Sequence, residues 1–467
     1  MAVDRRTSCK EIHKVYRRRA RYCSALPDEM VFEILVRLPV KALTRFKSVS
    51  KAWRATISDP SFIRSHLQQS VKNNRERNTS FLITPITLQD KVANSKAWPT
   101  NVSNHIPFYS WQEGRGEACH VHSSTFHGEF VSVYEMLHCD GLVVLSTDTK
   151  VYALNPAIHD VLKLPDGQDD VSGFPTVGFG LDPRTKKYKV VRLFYRHLDY
   201  SMRTYSVGTE IFTIGDDEID SSWRSITEDP PFPIGPMSVT HFEGSLYLFV
   251  RGDLVERPPQ GILRFNLEDE TYSFIRHPEL FSPGEENLSF IELGGELCLA
   301  QGSDKKQVIW MLLRSGEWAQ HYVVILPEPM NFGILSVIPK DVLLIRSGNW
   351  LYHYDTARQD VREVVRLDML RYKKPRVGSF DFVAREDLFM FMLISYTESL
   401  FPVTKPRRHF AMYPDTAGPR MRDEEQPDGR RLCLTTVVTE ASSEPMQRKS
   451  KRKKREAQRY SSDDWVK

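Results

Sequence analysis

The chain has 467 residues, 40% hydrophobic and 27% charged, which is enough apolar material for one large domain with accessories and excludes disorder throughout. Its net charge of +4 divides unevenly: residues 1–25 and 405–467 together carry +12, leaving −8 for the body. That partition argues against a nucleic-acid footprint on the folded body and confines any phosphate affinity to the two ends. Residues 1–23 form a basic arm, with Arg5, Arg6, Lys10, Lys14 and Arg17 to Arg19 but no following apolar stretch of signal-peptide length. No segment approaches the roughly 18 apolar residues of a membrane span, so the expectation is a soluble intracellular protein without a membrane partner.

Leu26-Pro27 opens the next element. Asp28 and Glu29 fall in a first helical turn, where the macrodipole favours acid, and Val31, Ile34, Leu35 and Leu38 follow at helical spacing. Pro39 breaks this helix and suits the opening turn of a second, whose stripe of Val40, Leu43 and Phe46 continues through Val49, Trp53 and Ile57. Asp59-Pro60 stops that run, and Phe62, Ile63 and Leu67 begin a last short apolar face. Three short helices in fewer than about 60 residues, without a cysteine or metal staple, need more apolar surface to complete a core. Either another chain supplies it or the rest of this one does.

Leu26-Pro27, Ile34-Leu35, Leu38-Pro39, Leu43, Phe46, Val49, Ser50-Lys51, Trp53-Arg54, Ile57, Asp59-Pro60 and Phe62 resemble the F-box in order and position, across nearly the whole motif. The resemblance implies that residues 24–68 are a small all-α F-box that inserts against a Skp-type adaptor, which joins a cullin and a RING subunit in a ubiquitin ligase. It implies that Leu26, Pro27, Ile34, Leu35, Leu38, Pro39, Val40 and Leu43 face the adaptor, while Val49 and Trp53 hold the module's own core. Residues 69–80 then read as a linker.

From about residue 81 the period changes to that of strands. A tight-turn residue leading into an apolar strand recurs at Gly141, Gly244, Gly295 and Asp341, in steps of 103, 51 and 46 residues. If the first step holds two repeats, the period is about 50, that of kelch-like propeller blades. The missing repeat is Val177-Gly-Phe-Gly-Leu-Asp182-Pro183 followed by Tyr188-Lys-Val-Val191. Phe81 to Ile83 and Phe130 to Tyr134 begin the circle and Phe380 to Tyr396 close it, giving five or six blades over residues 81–404. A stacked β-sandwich is the alternative architecture. The overall class is α+β multidomain, an all-α module followed by an all-β, propeller-like one.

Cys139-Asp-Gly-Leu-Val-Val-Leu145, Asn155-Pro156, Leu164-Pro165, Gly178-Phe-Gly-Leu-Asp-Pro183 and Trp223-Arg224 resemble the F-box-associated domain common in plant F-box proteins. Pro230, Pro231, Pro233, Pro236, Pro258 and Pro259 mark two stiffened connections between blades, as recognition loops or plain connectors.

Cys119-His120-Val-His122 with His127 is the one cluster resembling metal ligands, and without an acidic or thiol partner at a diagnostic spacing it reads as a polar blade edge or loop. The six cysteines, at 9, 23, 119, 139, 298 and 433, form no Cys-x-x-Cys pair, as expected of reduced thiols. Gly-x-Ser-x-Gly, His-Glu-x-x-His and Gly-Lys-Ser/Thr are all missing, so no catalytic residue, metal or cofactor is assigned. Residues 405–467 lose periodic apolar residues and read as a disordered tail. Its cluster Arg448, Lys449, Lys451, Arg452, Lys453, Lys454 and Arg455 resembles a nuclear localisation signal, giving nucleus, cytoplasm or both as the expected location.

The resemblances imply a non-catalytic substrate receptor of a Skp–cullin–F-box ubiquitin ligase, its β domain binding an unidentified target protein. The alternative is a nuclear, nucleic-acid-associated protein that uses its basic ends, with the F-box serving only to pair with the adaptor. A propeller enzyme would need a pocket of perturbed titratable groups.

Overall fold

The computed structural model describes residues 26–77, 80–89, 102–126, 130–215, 222–257, 259, 261–278, 287–338, 341–373, 380–381 and 387–404. The basic arm and the tail with its basic cluster lie outside these residues, as do His127 and Pro258.

Among the described residues four helices precede the strands, where three were expected. Pro27 and Pro39 stand at the N-caps of α1 (Asp28–Leu35) and α2 (Val40–Phe46), which explains both Leu-Pro steps. The expected long second helix is divided. After α2 the chain turns, Ser50 becomes extended, and its Oγ accepts the Trp53 amide at 3.1 Å to cap α3 (Lys51–Ser58). The break lifts Val49 out of the apolar stripe. Asp59 Oδ1 accepts the Ser61 amide at 2.8 Å at the start of α4 (Pro60–Arg77). That helix has 18 residues, so the segment expected as a linker is helical as far as Arg77.

The strands follow in blades. β1 (Ser80–Thr87), β2 (His105–Gln112) and β3 (Glu117–Thr125) begin the first. β4 (Val133–Cys139), β5 (Leu142–Thr147), β6 (Val151–Asn155) and β7 (Asp160–Lys163) form the second, and β8 (Thr176–Leu181), β9 (Tyr188–Asp199), β10 (Thr204–Ile214) and β11 (Arg224–Ser225) the third. The fourth holds β12 (Ile234–Phe242), β13 (Ser245–Val250), β14 (Gly261–Asn266) and β15 (Tyr272–Arg276). β16 (Asn287–Leu293), β17 (Glu296–Gly302), β18 (Lys306–Leu312) and β19 (Trp318–Ile325) make the fifth. β20 (Gly333–Ile338), β21 (Val342–Ser347), β22 (Trp350–Asp355) and β23 (Asp360–Arg366) make the sixth. β24 (Arg371–Lys373) then adds parallel to β3, followed by β25 (Phe380–Asp381) and β26 (Leu388–Ser395). β26 pairs antiparallel with β1, Phe81 opposite Ser395 and Pro85 opposite Phe391, so the first blade joins the earliest strand to the last. The innermost strands β26, β4, β8, β12, β16 and β20 adjoin in sequence around a ring. This is a six-bladed propeller, not a sandwich, and the ring is closed by the pairing of β26 with β1 inside the first blade.

The core lies between blades. Leu82, Phe108, Val143 and Tyr152 meet between the first and second, and Val144, Phe179, Val190 and Phe212 between the second and third. The recurring sequence phrase is the turn from each innermost strand to the next. Gly141, Gly244 and Gly295 have φ of +83°, +74° and +92° there, and Asp341 occupies the same place at +58°.

The family-like residues of the third blade touch across blade boundaries. Asp182, fully buried, accepts the Arg184 amide at 2.9 Å and the Thr185 hydroxyl at 2.8 Å, closing the β8–β9 turn. It also pairs with buried Lys189 at 2.9 Å, and Lys189 reaches Glu270 of the fourth blade at 3.0 Å. Trp223 Nε1 donates to the Pro165 carbonyl at 2.7 Å, tying the third blade to the second. Pro230, Pro231 and Pro233 do connect blades, but Pro236 lies within β12, at an irregularity of its pairing with β13, and Pro259 belongs to the β13–β14 loop inside one blade.

Candidate functional site

The inner faces of the four helices are filled. Leu35, Val36, Val40, Leu43, Ile57, Phe62 and Ile63 form one cluster, and Leu400, from beyond the last strand, completes it. Ala157, Ile158 and Phe401 of the propeller pack against its side. The surface the module cannot bury alone is therefore covered partly in cis.

A second apolar surface stays open. Leu26, Met30 and Ile34 follow one another at four-residue spacing and are 53%, 52% and 48% exposed, an unusual degree for such large side chains in a row. Met30, Ile34 and Leu38, with the aliphatic stems of Glu29, Glu33 and Arg37, line a shallow groove along α1. An apolar strip inside a charged rim has the anatomy of a protein interface. His66 fixes its lower end: buried in α4, it donates from Nε2 to the Leu38 carbonyl at 2.9 Å, holding the turn between α1 and α2. Burial lowers the His66 pKa, keeping the ring neutral.

The expected adaptor-facing residues separate into two groups. Leu26, Pro27, Ile34 and Pro39 are exposed and Leu38 is half-buried. Leu35, Val40 and Leu43 are instead inside the helical core and support the face from beneath. The reason is helical phase: Ile34 and Leu35 are adjacent in sequence but about 100° apart around α1. Val49, expected in the core, is 61% exposed because the chain breaks between α2 and α3. Trp53 is half-buried at the side of the helical cluster, its ring centroid 5.3 Å from that of Phe46. Met30 went unread; the four-residue step from Leu26 through Met30 to Ile34 is the signal that marks it.

The helical module packs at the propeller end that carries the β4–β5 and β6–β7 turns. Strand alternation puts the loops entering each innermost strand at the other end. There the loop after β7 exposes Val171 and Phe174, and the β9–β10 hairpin exposes Tyr200 and Met202 at its tip. Those two strands, of 12 and 11 residues, continue past Leu193, the last residue paired with β8. Arg251 lies 5.0 Å from the Tyr200 ring and holds the tip.

The histidines are satisfied by hydroxyls and rings. His120 and His122 meet Ser123 and Ser124 Oγ, each at 2.7 Å, and the His122 ring stacks 4.9 Å from His159. Burial and the neighbouring imidazoles lower His122 to about 4. Among the described residues no group of three or more His, Cys, Asp or Glu could hold a metal ion. Cys119 is exposed, and Cys139 and Cys298 are buried free thiols.

A helical docking module with an open apolar strip, packed on a six-bladed ring, defines an interaction protein of two surfaces. Residues 23–65 match the F-box domain, and residues 100–374 match the F-box associated beta propeller domain. The chain therefore belongs to the F-box proteins that carry an F-box associated β-propeller. It is 28% identical over 352 residues to an F-box protein of Arabidopsis thaliana, covering 68% of this chain and 75% of that one. With an F-box/kelch-repeat protein of the same plant it shares 26% over 354 residues, covering 70% and 78%. A streptogramin B lyase structure aligns at 13% identity and a TM-score of 0.34, over 67% of this chain and 97% of that one, too weak a likeness to bear on activity. An F-box joined to such a propeller is in general the architecture of a ubiquitin-ligase substrate receptor. The F-box implies binding to a Skp-type adaptor, and the family is generally non-catalytic.

Proposed function

We propose that this chain is the substrate-recognition subunit of a Skp–cullin–F-box ubiquitin ligase, docking on the adaptor through the outer face of α1 and holding a target protein on the propeller. The row of Leu26, Met30 and Ile34 carries the reading, because the module's core is complete without it and three large apolar side chains are left in water. The target occupies the propeller end opposite the helices, where Val171, Phe174, Tyr200 and Met202 are exposed on well-anchored loops. The chain itself makes and breaks no bond. By holding the target near a ubiquitin-loaded enzyme delivered by the cullin and RING subunit, it raises the effective concentration of the target's lysines.

Mixing the purified chain with a plant Skp-type adaptor is expected to give a one-to-one complex at micromolar concentration, measured by size-exclusion chromatography with light scattering. Two separate peaks across that range would overturn the assignment.

A further inference from the structure

The segment that follows β26 runs from the propeller into the F-box without regular secondary structure, yet it is held along its length. Asn74 of α4 donates to the Tyr396 carbonyl at 3.0 Å and the Thr397 hydroxyl at 2.8 Å. Asn155, fully buried at the end of β6, donates from Nδ2 to the carbonyls of Ser399 at 3.0 Å and Phe401 at 2.8 Å. Its Oδ1 accepts the Ala157 amide at 3.0 Å, so one side chain fixes both the strap and the turn beside it. Asp160 accepts the amides of Val403 and Thr404 at 2.8 and 3.0 Å. Gly141 makes room: a Cβ there would lie 2.5 Å from Ser399 Oγ and 2.7 Å from the Thr397 carbonyl oxygen. Between these anchors Leu400, 2% exposed, enters the cluster of Leu35, Val40, Leu43, Ile57 and Phe62.

We propose that this strap makes adaptor binding conditional on a closed propeller: the F-box acquires its docking geometry only when β26 has joined β1 and delivered Leu400 into the helical core. The helices are made first and the last apolar member of their core some 330 residues later, immediately after the strand that shuts the ring. Leu35, directly beneath the exposed row, belongs to the cluster that Leu400 completes, so a chain with an open ring keeps a loosened α1. A receptor that cannot hold a target is thereby kept from the ligase. The inference rests on the adaptor reading of α1, and its test is built to fail separately from that reading.

Leu400→Ala and Asn155→Ala, each in the full chain, are compared with wild type by amide hydrogen exchange and by titration with a plant Skp-type adaptor. Amides of α1 to α3 are expected to exchange roughly tenfold faster or more while those of β17 keep their wild-type rate, and adaptor affinity is expected to fall by a similar factor. Unchanged exchange in α1 to α3, an equal acceleration in β17, or undiminished affinity overturns the strap. Wild-type chain that ignores the adaptor sinks the earlier reading, and the exchange comparison still decides whether the strap holds the helices.

Discussion

Ile34→Asp is expected to weaken adaptor binding by about 100-fold or more while leaving the thermal midpoint of the free chain within a degree or two of wild type. Ile34 is 48% exposed, so in the free protein a carboxylate there stays hydrated. In the complex the same carboxylate would enter an apolar, desolvated strip. Truncating a central anchor residue costs about 2–4 kcal/mol, burying an unpaired charge adds to that, and each 1.4 kcal/mol is about tenfold in affinity. Calorimetric titration and differential scanning of the two proteins separate the effects. Leu35→Asp is the contrasting case: Leu35 is 1% exposed within the helical core, so its substitution unfolds the module and says nothing specific about the interface. Affinity lost only together with stability at position 34 would contradict the assignment of that face.

Asp182→Ala is expected to destabilise the ring by about 3 kcal/mol. Removing one partner of a buried ion pair costs about 3–5 kcal/mol because the other charge is left desolvated. The low end applies here, since Lys189 keeps Glu270 at 3.0 Å. Burial pushes the Asp182 carboxyl pKa up, but hydrogen bonds from Lys189 and from Thr185 outweigh it and hold the value at about 2. With the folded value below the unfolded one of roughly 3.9, the contribution is fully present above about pH 4. It is lost as pH falls from there towards 2. Urea unfolding of wild type and variant at pH 7 and at pH 3 should show the gap narrowing in acid. A gap that is constant or wider at pH 3 would refute this role for Asp182.

The features legible in the sequence are those whose cause is local. Leu-Pro steps at 26–27 and 38–39 read as helix starts because proline fixes its own backbone, and the recurring glycines read as turns because their positive φ excludes most other residues. Asp182-Pro183 and Trp223 also have structural meaning, yet their partners, Lys189 with Glu270 and the Pro165 carbonyl, are set by blade packing that no spacing displays. Blade number stayed at five or six for the same reason: the first blade is assembled from strands at 80–87 and 388–395, too far apart to register as one repeat. Val49 was misread because an apolar stripe at four-residue spacing hides a cap, and Ser50 is neutral until its hydroxyl is seen on the Trp53 amide. The division of Leu35, Val40 and Leu43 from Ile34 depends on which faces of α1 and α2 turn into the core that Leu400 completes, and Leu400 gives no sign of this in the sequence.

Photocrosslinking tests the central claim most directly. A photoreactive residue is placed at Ile34, or at Met202 on the opposite end of the propeller, and the full chain is irradiated with purified adaptor. Adaptor adducts should form from position 34 and not from position 202; adducts from 202, or none from 34 in a mixture that forms the complex, would contradict the account.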